Sequence, residues 1–301
     1  MTVQHSGGGQ ADRTLALLWR NHSPAPATDQ PVPDPQASDA QASDPRSRRA
    51  RGGRGRPPSA AVGGEAGAKR VRGRRPTLTV DAVIEQALAL ADERGLPAAS
   101  MGGVAKALGV GTMTLYTYVP SKEELLDLMV DQVLLERELP GPGDPRPADW
   151  REQVELYSDQ TRAMFRRHPW LAHVSTIRPP VGPGMLAGRE YLLSAMVALG
   201  LPPARANLAA LAVTTYIDSA AGQEAESDLV EHQTGQSNDA WWHDRGDLWE
   251  TYFDVDRYPT MTAVWNAEEG GMAYGGSIRE VSADSYQFGL AHLLDGIRST
   301  V

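Results

Sequence analysis

The 301-residue chain contains no cysteine. That excludes a disulfide framework and any thiolate metal site, and it leaves the redox compartment open. No apolar run approaches the ~20 residues a membrane helix needs, and the apolar cluster Leu15–Trp19 is too short for the core of a secretory signal. Alternation of β-branched residues never persists, so strands are not expected. There is no P-loop, no G-x-G-x-x-G after a strand, no H-E-x-x-H and no G-x-S-x-G. His168, His173 and His232 are isolated and form no metal-binding pair at i, i+4. The expectation is a cytoplasmic, membrane-free, non-enzymatic protein without cofactor or metal.

Charge is present but unevenly placed. The formal net charge is -9, which by itself argues against a nucleic-acid binder. Residues 46–75 nevertheless hold eleven Arg or Lys against one acid, Glu65, a net +10 that leaves -19 for the rest of the chain. A basic arm on an acidic body is more informative than the mean. It reads either as a solubilising tail or as an arm that tracks phosphates or enters a minor groove. Residues 1–75 as a whole have the Pro, Gly, Ser, Ala, Asp and Arg content of a disordered tail. Within it, Thr14–Arg20 (TLALLWR) is either a stray hydrophobic turn or a peptide that docks on the body or on a partner.

The chain is organised around Ser100–Lys122. Met101, Val104, Ala105 and Leu108 fall on one helical face, and Gly109 follows where a helix must stop and turn with positive φ. Val110 can fill the corner. A short helix over about Thr112–Val119 then turns Leu115 and Val119 inward, and small Ala105 permits its close approach. The pattern is that of a helix-turn-helix, with an ordinary αα-hairpin as the alternative. Before it, a helix is expected over Val80–Arg94, capped by Thr79, burying Val80, Val83, Ile84, Ala87 and Ala91 and stopped by Gly95 and Pro97. After it, Ser121–Glu124 reads as an S-x-x-E capping box. That box opens a helix to about Leu139 with Leu125, Leu128, Met129 and Val133 inside. The segment 148–301 reads as all-helical, with helices over 148–167, 169–176, 184–199, 203–224, 238–253, 259–268 and 282–297 and loops at 225–237 and 268–281.

Leu78–Val133 resembles the DNA-binding domain of the TetR/AcrR family of bacterial transcriptional regulators. The carrying residues are A-x-x-L-A-D-E-x-G-L (Ala87–Leu96), S-M-x-x-V-A-x-x-L-G-V from Ser100, and T-L-Y-x-Y-V-x-S-K-E-E-L-L-D (Thr114–Asp127). The remainder, closing with F-G-L-x-x-L-L-D-G-I (Phe288–Ile297), is similar to the family's ligand-binding and dimerising domain. The resemblance implies an all-α protein: a tail over 1–75, a DNA-binding domain over 76–139 and an effector-binding and dimerisation domain over 148–301. It implies that Thr112, Met113 and Thr114 face base edges, and that Tyr116, Tyr118 and Lys122 hold phosphates. Half-buried packing is the alternative for the two tyrosines, and a solvated cap residue the alternative for Lys122. Gly102 and Gly103 stand where the family often has basic residues.

The resemblance further implies a homodimer on a palindromic operator in double-stranded DNA, paired through helices 203–224 and 282–297. Tyr157, Met164, Trp170, Met196 and Tyr216 are candidates for an apolar effector pocket, with ordinary core as the alternative. The aromatic stretch Trp241–Phe253 is a pocket lid, a crossing to the partner subunit, or a helix packed on its own core. The expected function is a sequence-specific repressor released by a small lipophilic effector. The alternative is a ligand-independent regulator controlled by a protein partner.

Overall fold

The computed structural model describes residues 4–22, 78–267 and 277–301. The basic arm at 46–75 and most of the expected loop at 268–281 lie outside the described residues. A two-residue strand β1 (Gln4–His5) and helix α1 (Ala11–Leu18) precede α2 (Val80–Arg94), α3 (Met101–Leu108), α4 (Thr112–Tyr116) and α5 (Lys122–Leu135). Then come α6 (Trp150–Arg167), β2 (Val174–Ser175), α7 (Pro183–Ala198), α8 (Pro203–Thr234), α9 (Asn238–His243), α10 (Pro259–Asn266) and α11 (Ile278–Arg298).

The first expected helix forms with the expected bounds. The Thr79 hydroxyl accepts from Ala82 N at 3.1 Å, and Gly95 ends it at φ 80°. Its buried face is wider than the stripe read from sequence, because Leu88 and Leu90 are also inside, whereas Val80 is only partly covered. Helix α4 is shorter than expected: the N–H groups of Tyr118 and Val119 both return to Leu115 O, closing a turn that still buries Val119. Helix α5 ends at Leu135 rather than Leu139.

Three departures have physical causes. Residues 169–176 make a short 3-10 turn and then β2, because a parallel partner, β1, arrives from the far N-terminus. Helix α8 runs through 225–234 instead of stopping near 224. Its polar last turns are good helix formers, and Arg279 of α11 pairs with Asp228 alongside. Helix α11 starts at Ile278 because Ser277 and Glu280 form a full capping box, with Ser277 N donating to Glu280 at 2.9 Å. The tail also departs in part. Residues 4–22 form β1 and α1 and bury Ser6, Thr14 and Leu18, so Thr14–Arg20 docks on the protein's own body.

Among the described residues, two apolar clusters hold the helices. One gathers α2–α5, takes Leu18 from α1, and continues into Met164, Trp170, Leu171 and Val174. The other lies among α6, α7, α8 and α11, around Val154, Tyr191, Leu192, Met196, Val213, Ile217, Leu290 and Leu294. The first shows that the core of the expected DNA-binding domain does not close at residue 139; the end of α6 and the turn after it complete it.

Candidate nucleic-acid interface and effector domain

The corner between α3 and α4 is built as the spacing requires. Ser100 caps α3 through Gly103 N at 3.1 Å, Gly109 adopts φ 67°, and Val110 N returns to Ala105 O at 3.0 Å. Ala105, Leu115 and Val119 are buried beneath the corner. The opposite edge of α4 faces water. Thr112 and Thr114 are exposed, Met113 is 78% exposed and Tyr116 40% exposed. Lys122 is exposed at the first position of α5, next to the Ser121 cap. Tyr118 behaves differently, half-covered and packed on the apolar cluster. Five of the six candidate DNA-facing side chains are therefore exposed, and Tyr118 is partly covered. The glycines of α3 also divide. A Cβ on Gly103 would lie 2.3 Å from Ala98 O, so this position excludes any side chain, whereas Gly102 meets nothing.

Helix α5 has a second face that sequence reading missed. Glu124, Asp127 and Asp131 are buried in one row at i, i+3 and i+7. Glu124 accepts from Gln10 N at 3.2 Å, Asp127 from Gly7 N at 2.7 Å and Asp131 from Met185 N at 3.0 Å. Burial raises the pKa of Asp127, opposed by the N–H groups of Gly7 and Gly9; burial raises that of Asp131, opposed by Met185 and Gly184. The Glu124 side chain thus faces α1 as well as the Ser121 hydroxyl, where a simple capping box would turn it to Ser121 N. Gly182, Gly184 and Gly188 admit this contact. A Cβ on the first would meet Asp131 Oδ2 at 2.3 Å, on the second Asp131 O at 2.2 Å, and on the third Arg137 Nη2 at 2.4 Å. The G-x-x-x-G spacing of Gly184 and Gly188 was the available signal.

Beyond α5, buried Arg137 donates to the Tyr157 hydroxyl at 2.8 Å and lies over its ring, 5.1 Å from the centroid. Thr214 and Asp218 of α8 face the same place. Burial pushes the Asp218 pKa up to about 6, opposed by the Arg137 charge. Asp218 Oδ1 and Thr161 Oγ1 have no hydrogen-bond partner among the described residues. His168, buried at the end of α6, places Nδ1 2.8 Å from Asp92 of α2 and Nε2 2.9 Å from Glu136.

The five expected pocket residues do not come together. Met164 and Trp170 pack into the α2–α5 cluster, drawn there by the Trp170 indole N–H, which donates to Asp92 at 2.8 Å. Tyr157 and Met196 belong to the other cluster, and Tyr216 lies against it with its hydroxyl on Tyr286 O at 3.0 Å. None of them lines the 460 Å³ groove between Trp249, Phe253, Met261 and Trp265. The stretch 241–253 is not one helix packed on the core: α9 is followed by a turn and a single π-helical turn over Leu248–Tyr252, and neither segment buries a residue.

A helix-turn-helix presented on an open edge and completed by a second all-helical unit defines a DNA-binding regulator of the helix-turn-helix class. Comparison with known proteins gives the family. Residues 83–129 match the family described as bacterial regulatory proteins, tetR family, and residues 142–301 match the tetracyclin repressor-like C-terminal domain. The chain is 35% identical over 237 residues to the HTH-type transcriptional repressor DrrR1 of Streptomyces coeruleorubidus, covering 79% of this chain and 83% of that one. It is 30% identical over 196 residues to an HTH-type transcriptional regulator of Saccharopolyspora erythraea, covering 60% and 81%. Among solved structures it resembles the Streptomyces coelicolor TetR family protein ActR in complex with actinorhodin, at 27% identity and TM-score 0.61 over 76% of this chain and 98% of that one. The chain belongs to the TetR family of transcriptional regulators.

Proposed function

We propose that this protein is a dimeric repressor whose α4 reads an operator and whose release is driven by a small molecule held between α6 and α8. The observation that supports the DNA reading is the exposure of Thr112, Met113, Thr114 and Tyr116 on α4 and of Lys122 at the start of α5. The threonines can hydrogen-bond a base or offer a methyl group to thymine, and Met113 offers apolar contact only. Tyr116 and Lys122 hold phosphates, and Tyr118 supports them from the margin. The relative DrrR1 is a repressor, which favours that sign of regulation.

One short helix spans few base pairs, so a two-fold pair on a palindrome supplies the remaining readout. Helix α8 leaves Leu208 and Leu211 exposed and α11 leaves Phe288 68% exposed, an apolar surface suited to a second copy. Helix α9 and the turn Leu248–Tyr252 hold no fully buried residue, which supports a crossing of this aromatic stretch to the partner.

For the effector, the unpartnered Asp218 Oδ1 and Thr161 Oγ1 beside Tyr157 supply polar anchors within apolar walls. An effector that is lipophilic with a hydrogen-bond donor fits that lining. ActR in complex with actinorhodin supports small-molecule control in this fold.

The test is selection from random duplex DNA followed by footprinting. A palindromic site protected by the intact protein, and lost in Thr114→Ala and Lys122→Ala, is the expected result. Binding no tighter to any selected site than to random duplex refutes the reading.

A further inference from the structure

The N-terminal segment 4–22 bridges α2 and α5 to the connection between α6 and α7. On one side, β1 pairs with β2 in register Gln4 to Val174 and His5 to Ser175, and the Ser6 hydroxyl donates to Arg178 O at 2.9 Å. The Trp19 indole N–H donates to Val181 O at 3.0 Å. These partners lie in the connection from α6 to α7, inside the C-terminal match. On the other side, Gly7 N and Gln10 N are held by Asp127 and Glu124 of α5, Leu18 enters the α2–α5 core, and Arg20 pairs with Asp81 of α2. The Ser-Gly-Gly-Gly run is shaped for this seat. Gly7 has φ 71° and its Cβ would fall 2.7 Å from Arg178 O, and a Cβ on Gly9 would fall 3.0 Å from Glu124 Cγ.

We infer that residues 4–22 are an intramolecular clasp that holds the DNA-reading helices at one angle to the effector domain and so governs how far effector binding is felt at the operator. Its two sets of partners are available together only when α5 and the α6–α7 connection hold the mutual position seen here. By linkage, a segment that binds one arrangement shifts the population toward it by its differential affinity. The acidic row of α5 gives the mechanism: Asp131 grips the first turn of α7 while Asp127 and Glu124 grip the clasp, so one helix face carries both restraints. The consequence for regulation rests on the operator reading above; the restraint itself does not.

The absence of cysteine makes the test direct. Spin labels at Glu85→Cys on α2 and Arg205→Cys on α8, both exposed, report the angle by pulsed dipolar distances in full-length chain diluted with unlabelled protein. The intact protein should give a single narrow distance distribution. Deletion of residues 1–22 should broaden or displace it, and a synthetic peptide of residues 1–22 added in trans should restore the narrow peak. Gly7→Val, which spares the core and the chain length, should reproduce the broadening and keeps the inference testable if the deletion variant fails to fold. The inference is overturned if Gly7→Val or the deletion leaves the distribution unchanged, or if the peptide does not bind the folded deletion variant. Because no DNA is present, failure here is distinct from failure to find an operator. Where an operator is found, the clasp-free protein should hold it with altered affinity; equal affinity with and without the clasp removes the regulatory role.

Discussion

Replacing His168 with Leu should destabilise the protein in a pH-dependent way. Both ring nitrogens of His168 lie within 2.9 Å of carboxylate oxygens, one from Asp92 and one from Glu136. Two acceptors require two N–H donors, so the ring is an imidazolium. Burial lowers its pKa, and the hydrogen bonds to Asp92 and Glu136 outweigh burial and raise it above 6.5. A hydrogen bond to a charged group contributes about 1.5–3 kcal/mol. Here both acids are about a third exposed and each keeps a second partner, the Trp170 indole for Asp92 and Arg167 for Glu136. The loss for His168→Leu at low pH is then about 2–4 kcal/mol. The sign follows from linkage. A folded-state pKa above the unfolded value gives stabilisation that is complete below pH 6.5 and fades as pH rises through the raised value. Between the two values the fade is up to about 1.4 kcal/mol per pH unit. Urea unfolding of both proteins across this range reads the effect, since titrations remote from the bridge cancel in the difference. A gap between them that stays constant from acid to alkaline pH refutes the imidazolium bridge.

Three further outcomes are expected. Gly102→Ala should stabilise α3 by up to about 0.8 kcal/mol, whereas Gly103→Ala should destabilise the protein, because its Cβ would meet Ala98 O at 2.3 Å; thermal unfolding separates them. Asp218→Asn should raise stability near pH 7 and lose that gain as pH falls from about 6 to 3.8, because burial lifts the carboxyl pKa from 3.8 to about 6 and ionising it in place costs about 3 kcal/mol at most. Calorimetry at the two ends of that range checks the sign. Each phosphate contact removed should flatten the log–log salt dependence of operator affinity by about 0.9. Lys122→Ala should therefore cost one such step, and deletion of 46–75 several; an unchanged slope after the deletion assigns the arm a solubilising role.

Where local chemistry decided the structure, the sequence was readable. Thr79, Gly95, Ser100, Gly109 and Ser121 act within a turn of themselves, and the helices they delimit fall within a few residues of the expected bounds. The exposed edge of α4 follows from the same periodicity. What stayed hidden depends on partners far along the chain. The strand at Val174 needs Gln4, and the charged face of α5 is legible only once Gly7, Gln10 and Met185 are known to lie against it. A buried Asp at a helical position looks, in sequence, like a solvated one. Met164 and Trp170 are apolar at helical spacing and suited to a pocket or a core equally well; the Asp92–Trp170 hydrogen bond, across 78 positions, decides for the core. The end of α8 is not marked by its hydrophobic period, which fades while its helix-forming residues continue, supported by Arg279 of α11.

Arg137 leaves the helix that opens at Lys122 and ends with its guanidinium on the phenol of Tyr157, in the interior near Asp218. A guest lodged against Tyr157 would meet, as its first neighbour, a side chain already rooted beside the DNA-facing half of the protein. On the proposed reading, Arg137 alone would stand between a guest at Tyr157 and α5, and lengthening or shortening that one arm would be the simplest way to retune the response.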